Sequence, residues 1–276
     1  MKILFLGGGN MATAMIAGLV ASGTPAAHIH VVDVSGEAIA KARAQGCRAY
    51  PLINHAPVDV VDVIVLATKP QTLQEAISSL AGNLSGQLVL SICAGVRIAQ
   101  ISEWLGGYDN IVRTMPNTPA LIGKGITGAY ASPAVLSMAR EHAETLMRAT
   151  GTFSWFESEK MLDAVTAVSG SGPAYVFYFI EALMQSAREL GFSEGQAREF
   201  ALATFAGAVA LAQTSEDSPA TLREKVTSKG GTTAAALAAM DAANVKATIV
   251  AAVKAADARA AELGDMMANA TKGGKP

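Results

Sequence analysis

The sequence predicts an α/β N-terminal domain followed by an all-α C-terminal domain, and three observations carry that prediction. Short apolar, β-branched runs alternate with helical stretches from Lys2 to about Phe156, which is the pattern of βαβ units on a mostly parallel sheet. After Glu157 the strand signal disappears and helical periodicity takes over. At 276 residues the chain is too long for one minimal core and suits two domains of ordinary size, set at residues 1–157 and 158–276.

Taken in order, Ile3–Leu6 reads as a first strand because its apolar residues run straight into Gly7-Gly8-Gly9, and Met11–Ser22 follows as a helix. Strands are expected next at Ile29–Asp33, Val63–Ala67, Leu88–Ser91 and Ile111–Met115, with a weaker extended segment at Thr152–Phe156. Helices are expected between them at Glu37–Gln45, Leu73–Ala81 and Pro133–Thr150. Strands this apolar belong inside a sheet covered on both faces. In the second half Ser158–Ser169, Pro173–Leu190, Ser193–Ala212, Ala234–Asp241 and Val245–Leu263 read as helices. Gly191 closes one of them, Ser193 with Gln196 has the pattern of a capping box, and Ser215–Pro219 is a polar break. Few charges lie along Ala201–Ala212 and Ala234–Ala260, although a helix facing water needs a polar side. Those faces are expected to meet another subunit. The tail Thr271–Pro276 is polar and is expected to fray.

A formal net charge of −2 and the lack of any dense Lys/Arg block argue against nucleic acid or an anionic membrane as the main partner and favour a small molecule. Cys47 and Cys93 show no metal-ligand spacing and no disulfide framework, so no metal is expected and a reducing compartment fits. With no leader-like segment before the first strand and no apolar run near the ~20 residues of a membrane span, the expectation is a soluble cytoplasmic protein.

The turn Gly7-x-Gly9-x-x-Ala12 follows a strand, opens a helix and precedes a second strand ending in Asp33. That context turns a weak glycine pattern into a dinucleotide fingerprint on a Rossmann-like domain, the glycines admitting a pyrophosphate to the helix start. Asp33 is placed to hold the adenosine ribose hydroxyls and would repel a 2′-phosphate, which favours NAD. Ser35, Lys41 and Arg43 lie close enough in sequence to leave that preference open.

A second anion cup lies far along the chain. Val226-Thr227-Ser228-Lys229-Gly230-Gly231-Thr232-Thr233 runs into the small-residue helix that begins at Ala234, combining close backbone approach, flanking hydroxyls and unpaired amides. Such a cup suits a carboxylate, and a nucleotide site beside a carboxylate site indicates a small-acid oxidoreductase.

Three more blocks, Ala67-Thr68-Lys69-Pro70, Arg113-Thr114-Met115-Pro116-Asn117-Thr118-Pro119 and Ser169-Gly170-Ser171-Gly172-Pro173-Ala174-Tyr175, join Leu222 and Val226–Thr233 in a pattern that resembles the pyrroline-5-carboxylate reductase family over nearly the whole chain. The resemblance implies a Rossmann-like N-terminal domain, an all-α C-terminal dimerisation domain, and reduction of a cyclic imine acid to proline with NADPH or NADH. It implies that Gly7, Gly9, Asn10 and Met11 hold the pyrophosphate, and Asn54 the adenosine side. Ala67, Thr68, Lys69, Cys93 and Ala94 would serve the ribose and nicotinamide end. The substrate carboxylate would take Ser228 and the backbone of Gly230, Gly231, Thr232 and Thr233, with Val226 alongside and the Thr233 hydroxyl by the ring nitrogen. Many members carry Asn-Arg-Ser where this chain has Asp33-Val34-Ser35, so an arginine suited to a 2′-phosphate is missing.

The chemistry fits the residues. Reducing a C=N bond needs a hydride on carbon and a proton on nitrogen, and a protonated imine is already electrophilic, so positioning dominates over acid strength. Lys229 stands where some relatives have proline and reads as a solvated or carboxylate-steering group; Glu216 reads as a solvated loop residue. His28, His30, His55 and His142 show no catalytic spacing, with His28 and His30 expected on a polar strand edge. Trp104, Trp155, Tyr175, Phe177 and Phe179 are expected to pack in cores or interfaces. A β-hydroxyacid dehydrogenase, the nearest rival, needs a helical lysine with an asparagine at helical spacing, whereas Lys229 is followed by Gly-Gly. A nucleotide sensor without catalysis would have no use for the Ser228–Thr233 cup.

Overall fold

The computed structural model describes residues 1–272 and divides them into two compact units. One comprises residues 1–171 together with those from Ala256 on; the other is Gly172–Ala255.

The first unit is built on eight strands: β1 (Ile3–Leu6), β2 (Ile29–Val32), β3 (Arg48–Tyr50), β4 (Val63–Leu66), β5 (Leu88–Ser91), β6 (Ile111–Met115), β7 (Gly125–Ala131) and β8 (Gly151–Trp155). They form one sheet in the order β3-β2-β1-β4-β5-β6-β7-β8. All neighbours run parallel except β6 and β7. Every residue of β1, β2, β4 and β5 is buried, as their apolar composition predicts. Alternation divides them between two cores: Ile3, Phe5, Val63 and Val65 pack on one face, Leu4, Leu6, Ile64 and Leu66 on the other. Helices α1 (Asn10–Ala21), α2 (Gly36–Ala44), α3 (Leu73–Ile77), α4 (Ile98–Trp104), α5 (Ser137–Arg148) and α6 (Met161–Val165) complete this unit before Gly172. A π-helical turn, Thr166–Gly170, follows α6.

The second unit holds α7 (Gly172–Glu189), α8 (Glu194–Thr214), α9 (Pro219–Lys225), α10 (Thr232–Ala242) and the start of α11 (Val245–Lys272). The capping box at Ser193 forms as expected: its Oγ accepts from Gln196 N, and Gln196 Oε1 accepts from Ser193 N at 3.0 Å. No residue of α7 or α10 is buried within the chain, and Phe177, Tyr178, Phe200 and Val209 lie open to solvent.

Several expectations need correction. Two strands and two helices go unpredicted: β3 and β7, α4 and α9. The helix expected from Pro133 begins at Ser137, and the one expected over Ser158–Ser169 is a five-residue α6 plus the π turn. The last strand ends at Trp155 and α6 begins at Met161, while the compact units part at Ser171; Leu162 and Ala167 are buried, and Asn117 Nδ2 donates to Ser169 O at 3.1 Å. Of the tail expected to fray, Thr271 and Lys272 complete α11 and the rest lies outside the described residues. His28 and His30 do not share a polar edge. His28 ends a 3-10 turn, while His30 is buried in β2, stacked on Tyr50 with Nδ1 3.1 Å from the phenol oxygen. Burial, then the nearby Arg48, Lys2 and His28, push its pKa below the usual imidazole value. Among the described residues no single helix is long and apolar enough to cross a membrane.

Candidate functional site

Parallel strands put the carboxyl ends of β1 to β5 along one edge of the sheet, and the order reverses between β1 and β4, where open α/β sheets bind ligands. The predicted nucleotide residues collect there. Gly7, Gly9, Asn10 and Met11 follow β1, Asp33 and Ser35 follow β2, Asn54 follows β3, Ala67, Thr68 and Lys69 follow β4, and Cys93 and Ala94 follow β5.

Backbone geometry explains the glycines. Gly7 has φ +104°, and a Cβ on it would lie 2.5 Å from Ala67 O, so the turn can cross the end of β4 only as glycine. Gly9 is the N-cap of α1 and has open space where a side chain would be. The first helical bond is Thr13 N to Gly9 O at 2.9 Å, and no side chain caps the helix. The amides of Asn10, Met11 and Ala12 are therefore left for an anion in that open space.

Asp33 is fixed by the same turn. Its Oδ2 accepts from Gly8 N and its Oδ1 from Ser35 N, both at 2.7 Å. Gly8, absent from the expected set, thus holds Asp33 together with Ser35; the signal was the middle glycine of the run. Ser35 Oγ also caps α2 at Ala38 N. The cations left open in sequence are engaged elsewhere: Lys41 Nζ lies 2.7 Å from Glu37, and Arg43 Nη2 donates to Ala49 O at 3.1 Å. Val34 is solvent-exposed.

At the other end, Cys93 N donates to Ser91 Oγ, and the Cys93 thiol faces Leu66 O and Thr68 O at 3.4 and 3.3 Å. Burial pushes that thiol up to about 11, with the Ser91 hydrogen bond acting against the shift, so it stays protonated at neutral pH and is no nucleophile. Thr68 Oγ1 is buried without a hydrogen-bond partner. A dinucleotide fits these features: an open cradle at Gly9, unpaired amides at α1, a fixed carboxylate beside the turn and an orphaned hydroxyl at the β4 end.

Two of the sequence blocks are one structure. Asn117 Nδ2 reaches Ser169 O, while its Oδ1 accepts from Ile126 N at 2.9 Å, tying the Met115–Pro119 segment to the Ser169–Gly172 turn. Arg113, in β6, is 3% exposed and places Nη1 3.0 Å from Glu159 and Nη2 3.7 Å from Asp163. Glu159 also accepts from Ile98 N at 2.8 Å.

The second cup belongs to the helical unit. Val226 caps the end of α9, and Gly230 takes φ +72° to turn the chain back. Gly231 N donates to Ser228 O at 3.0 Å, and a Cβ on Gly231 would collide with Ser228 Oγ. Gly231 is the N-cap of α10, with no side-chain cap and a first helical bond from Ala235 N to Gly231 O. The amides of Thr232, Thr233 and Ala234 are left beside the exposed Ser228 hydroxyl, while Thr233 is half-buried in the first turn. Lys229 is exposed.

Residues 159–263 match the family model for pyrroline-5-carboxylate reductase dimerisation, and residues 2–95 match that of the coenzyme F420-dependent NADP oxidoreductases. A pyrroline-5-carboxylate reductase of Pseudomonas aeruginosa is 41% identical, the match covering 96% of this chain and 98% of that protein. The structure of a pyrroline-5-carboxylate reductase from Coxiella burnetii superposes with a TM-score of 0.89 at 36% identity, over 95% of this chain and 98% of the other. That of Plasmodium falciparum pyrroline carboxylate reductase with NADP bound superposes at 0.84, with 28% identity over 96% and 98%. Identity at this level across nearly the full length places the chain in the pyrroline-5-carboxylate reductase family.

Proposed function

We propose that the chain reduces 1-pyrroline-5-carboxylate to L-proline, the last step of proline biosynthesis, with NADPH as reductant and NADH as an alternative. The observation that carries this reading is the opening of α10, where unpaired amides and the Ser228 hydroxyl surround a turn in which a Cβ on Gly231 would press on that hydroxyl. A dehydrogenase of hydroxyacids would need a lysine base on a helix, and Lys229 sits in a loop before Gly230.

Gly7, Gly9, Asn10 and Met11 would hold the pyrophosphate through backbone amides, Asp33, Ser35 and Asn54 the adenosine side, and Ala67, Thr68, Lys69, Cys93 and Ala94 the nicotinamide side. A hydrogen bond there would satisfy Thr68 Oγ1. The nicotinamide supplies a hydride when bound. Ser228 and the amides of Gly230, Thr232 and Thr233 would grip the substrate carboxylate, with Gly231, whose own amide closes the turn on Ser228 O, giving close backbone approach and Val226 against the ring. Thr233 Oγ1 would hydrogen-bond the ring nitrogen, accepting from it as the protonated imine and again as the amine. Because the imine arrives protonated, no side chain has to deliver a strong acid. Orientation of the two reactants then supplies the acceleration, up to ~7–11 kcal/mol in ideal cases. The exposed apolar faces of α7 and α8 fit association with a second copy of the chain, as a homodimer or larger.

The test is NAD(P)H oxidation with and without pyrroline-5-carboxylate, set beside NAD(P)+ reduction with a hydroxyacid. NAD(P)H oxidation that requires the imine supports the reading; NAD(P)+ reduction by the hydroxyacid without any imine-dependent oxidation, or neither reaction, rejects it. Asp33→Asn is expected to lower the KM for NADPH several-fold, because the charge that opposes a 2′-phosphate goes while one acceptor for the turn stays. An unchanged KM for NADPH would show that charge repulsion at Asp33 does not govern cofactor choice.

A further inference from the structure

The loop between β5 and α4 carries Cys93 and Ala94, and its two sides are fastened by different parts of the chain. The front is tied to β4: Ile92 N donates to Leu66 O at 3.1 Å, and the Cys93 thiol faces Leu66 O and Thr68 O. The back meets the last turns of α11, which belong to the same compact unit. Arg97 Nη2 lies 2.7 Å from Asp265 Oδ1. Its guanidinium lies against Gly264, where a Cβ would stand 3.3 Å from both Nε and Nη2. One step along, Met267 covers Gly95, with Sδ 3.3 Å from where a Cβ on Gly95 would be. Gly95 itself has φ +77°, so this stretch takes its path from its neighbours rather than from regular structure.

We propose that Asp265, acting through Arg97, is a positioning residue for the nicotinamide side of the cofactor site. Its role is to hold the Cys93–Arg97 loop at the height where the backbone of Cys93 and Ala94 meets the cofactor. The inference rests on the reading of those two residues as nicotinamide-side contacts. Arg97 is 35% and Asp265 63% exposed, so the pair contributes little to global stability and its effect falls on local placement. The adenosine-side residues, after β2 and β3, are distant in the sheet order from this brace and should not sense it.

The full-length protein tests this by calorimetric binding of two probes: NADPH, and adenosine 2′,5′-bisphosphate, which lacks the nicotinamide. Asp265→Asn is expected to weaken NADPH about fivefold, the scale of one exposed ion pair, and to leave the fragment unchanged. Asp265→Glu is expected to restore NADPH binding. Gly264→Ala provides a second arm: it favours the helix, so Tm does not fall, yet it crowds the guanidinium and weakens NADPH in the same direction. Unchanged NADPH affinity in Asp265→Asn, or a parallel loss for NADPH and the fragment, overturns the brace. Absence of imine-dependent turnover in the unmodified protein overturns the reductase reading instead, and the binding arms still decide the brace.

Discussion

Replacing Thr233 by alanine is expected to lower turnover about 100-fold while leaving the protein folded. The loss corresponds to ~2.7 kcal/mol of transition-state stabilisation, the scale of one polar contact to a reacting group. Thr233 is the second residue of α10, and alanine is the better helix former, so Tm should hold or rise slightly. A fall in kcat without a fall in Tm separates chemistry from folding. Thr233→Ser keeps the hydroxyl and should keep most of the turnover. Ser228→Ala makes a useful contrast: with Ser228 proposed to grip the carboxylate, its loss should appear chiefly as a higher KM. Steady-state kinetics on the three variants check this, and a Thr233→Ala enzyme with unaltered kcat would remove the hydroxyl from the reaction.

The two glycine turns and the helix starts they lead into were legible in the sequence because each depends on local backbone chemistry. Gly7 and Gly230 sit at positive φ, Gly9 and Gly231 cap helices without side-chain partners, and those needs leave their mark in a few adjacent residues. Strands β1, β2, β4 and β5 were legible for a related reason: a strand covered on both faces must be apolar throughout. β7 was not, since Gly125-Ile126-Thr127-Gly128-Ala129-Tyr130-Ala131 has two glycines and no β-branched run beyond two residues. Close packing sets its composition: a Cβ on Gly128 would lie 2.8 Å from Val165 Cγ2. β3 is three residues long, too short for a period to show. α4 begins at an arginine N-cap, a residue type that has no acceptor and gives no start signal, and only the return half of a cap forms, Gln100 Oε1 accepting from Arg97 N.

What the sequence hid most completely were contacts between residues far apart in the chain. Asp33 could be placed after a strand, but not that its carboxylate is shared by Gly8 N and Ser35 N. Nor could Glu159 be paired with Ile98 and Arg113, or Asp265 with Arg97, because surface-type charges carry no information about distant partners. These long-range ties brace the loop after β5 and the start of α4 from behind, so the sequence displayed local turns and caps better than the distant contacts that hold them in place.

The tie with the largest expected effect on stability is Arg113. Its guanidinium is nearly sealed in β6, and it faces two carboxylates, Glu159 at 3.0 Å and Asp163 at 3.7 Å, whose side chains are 23% and 10% exposed. Replacing Arg113 by methionine fills similar volume but leaves both negative charges without their cation. Breaking a buried pair on one side destabilises by about 3–5 kcal/mol. Water can reach Glu159, and Ile98 N still donates to it, so the lower end of that range applies. At ~2–4 °C per kcal/mol for a domain of this size, thermal unfolding should begin roughly 6–12 °C lower. The triple variant Arg113→Met, Glu159→Gln, Asp163→Asn is expected to recover much of the loss, because a neutral cluster has no charge to desolvate and the glutamine can still accept from Ile98 N. A single variant that melts with the unmodified protein would mean that these carboxylates are solvated well enough to do without the arginine. Recovery in the triple variant would instead locate the damage in uncompensated charge rather than in lost packing.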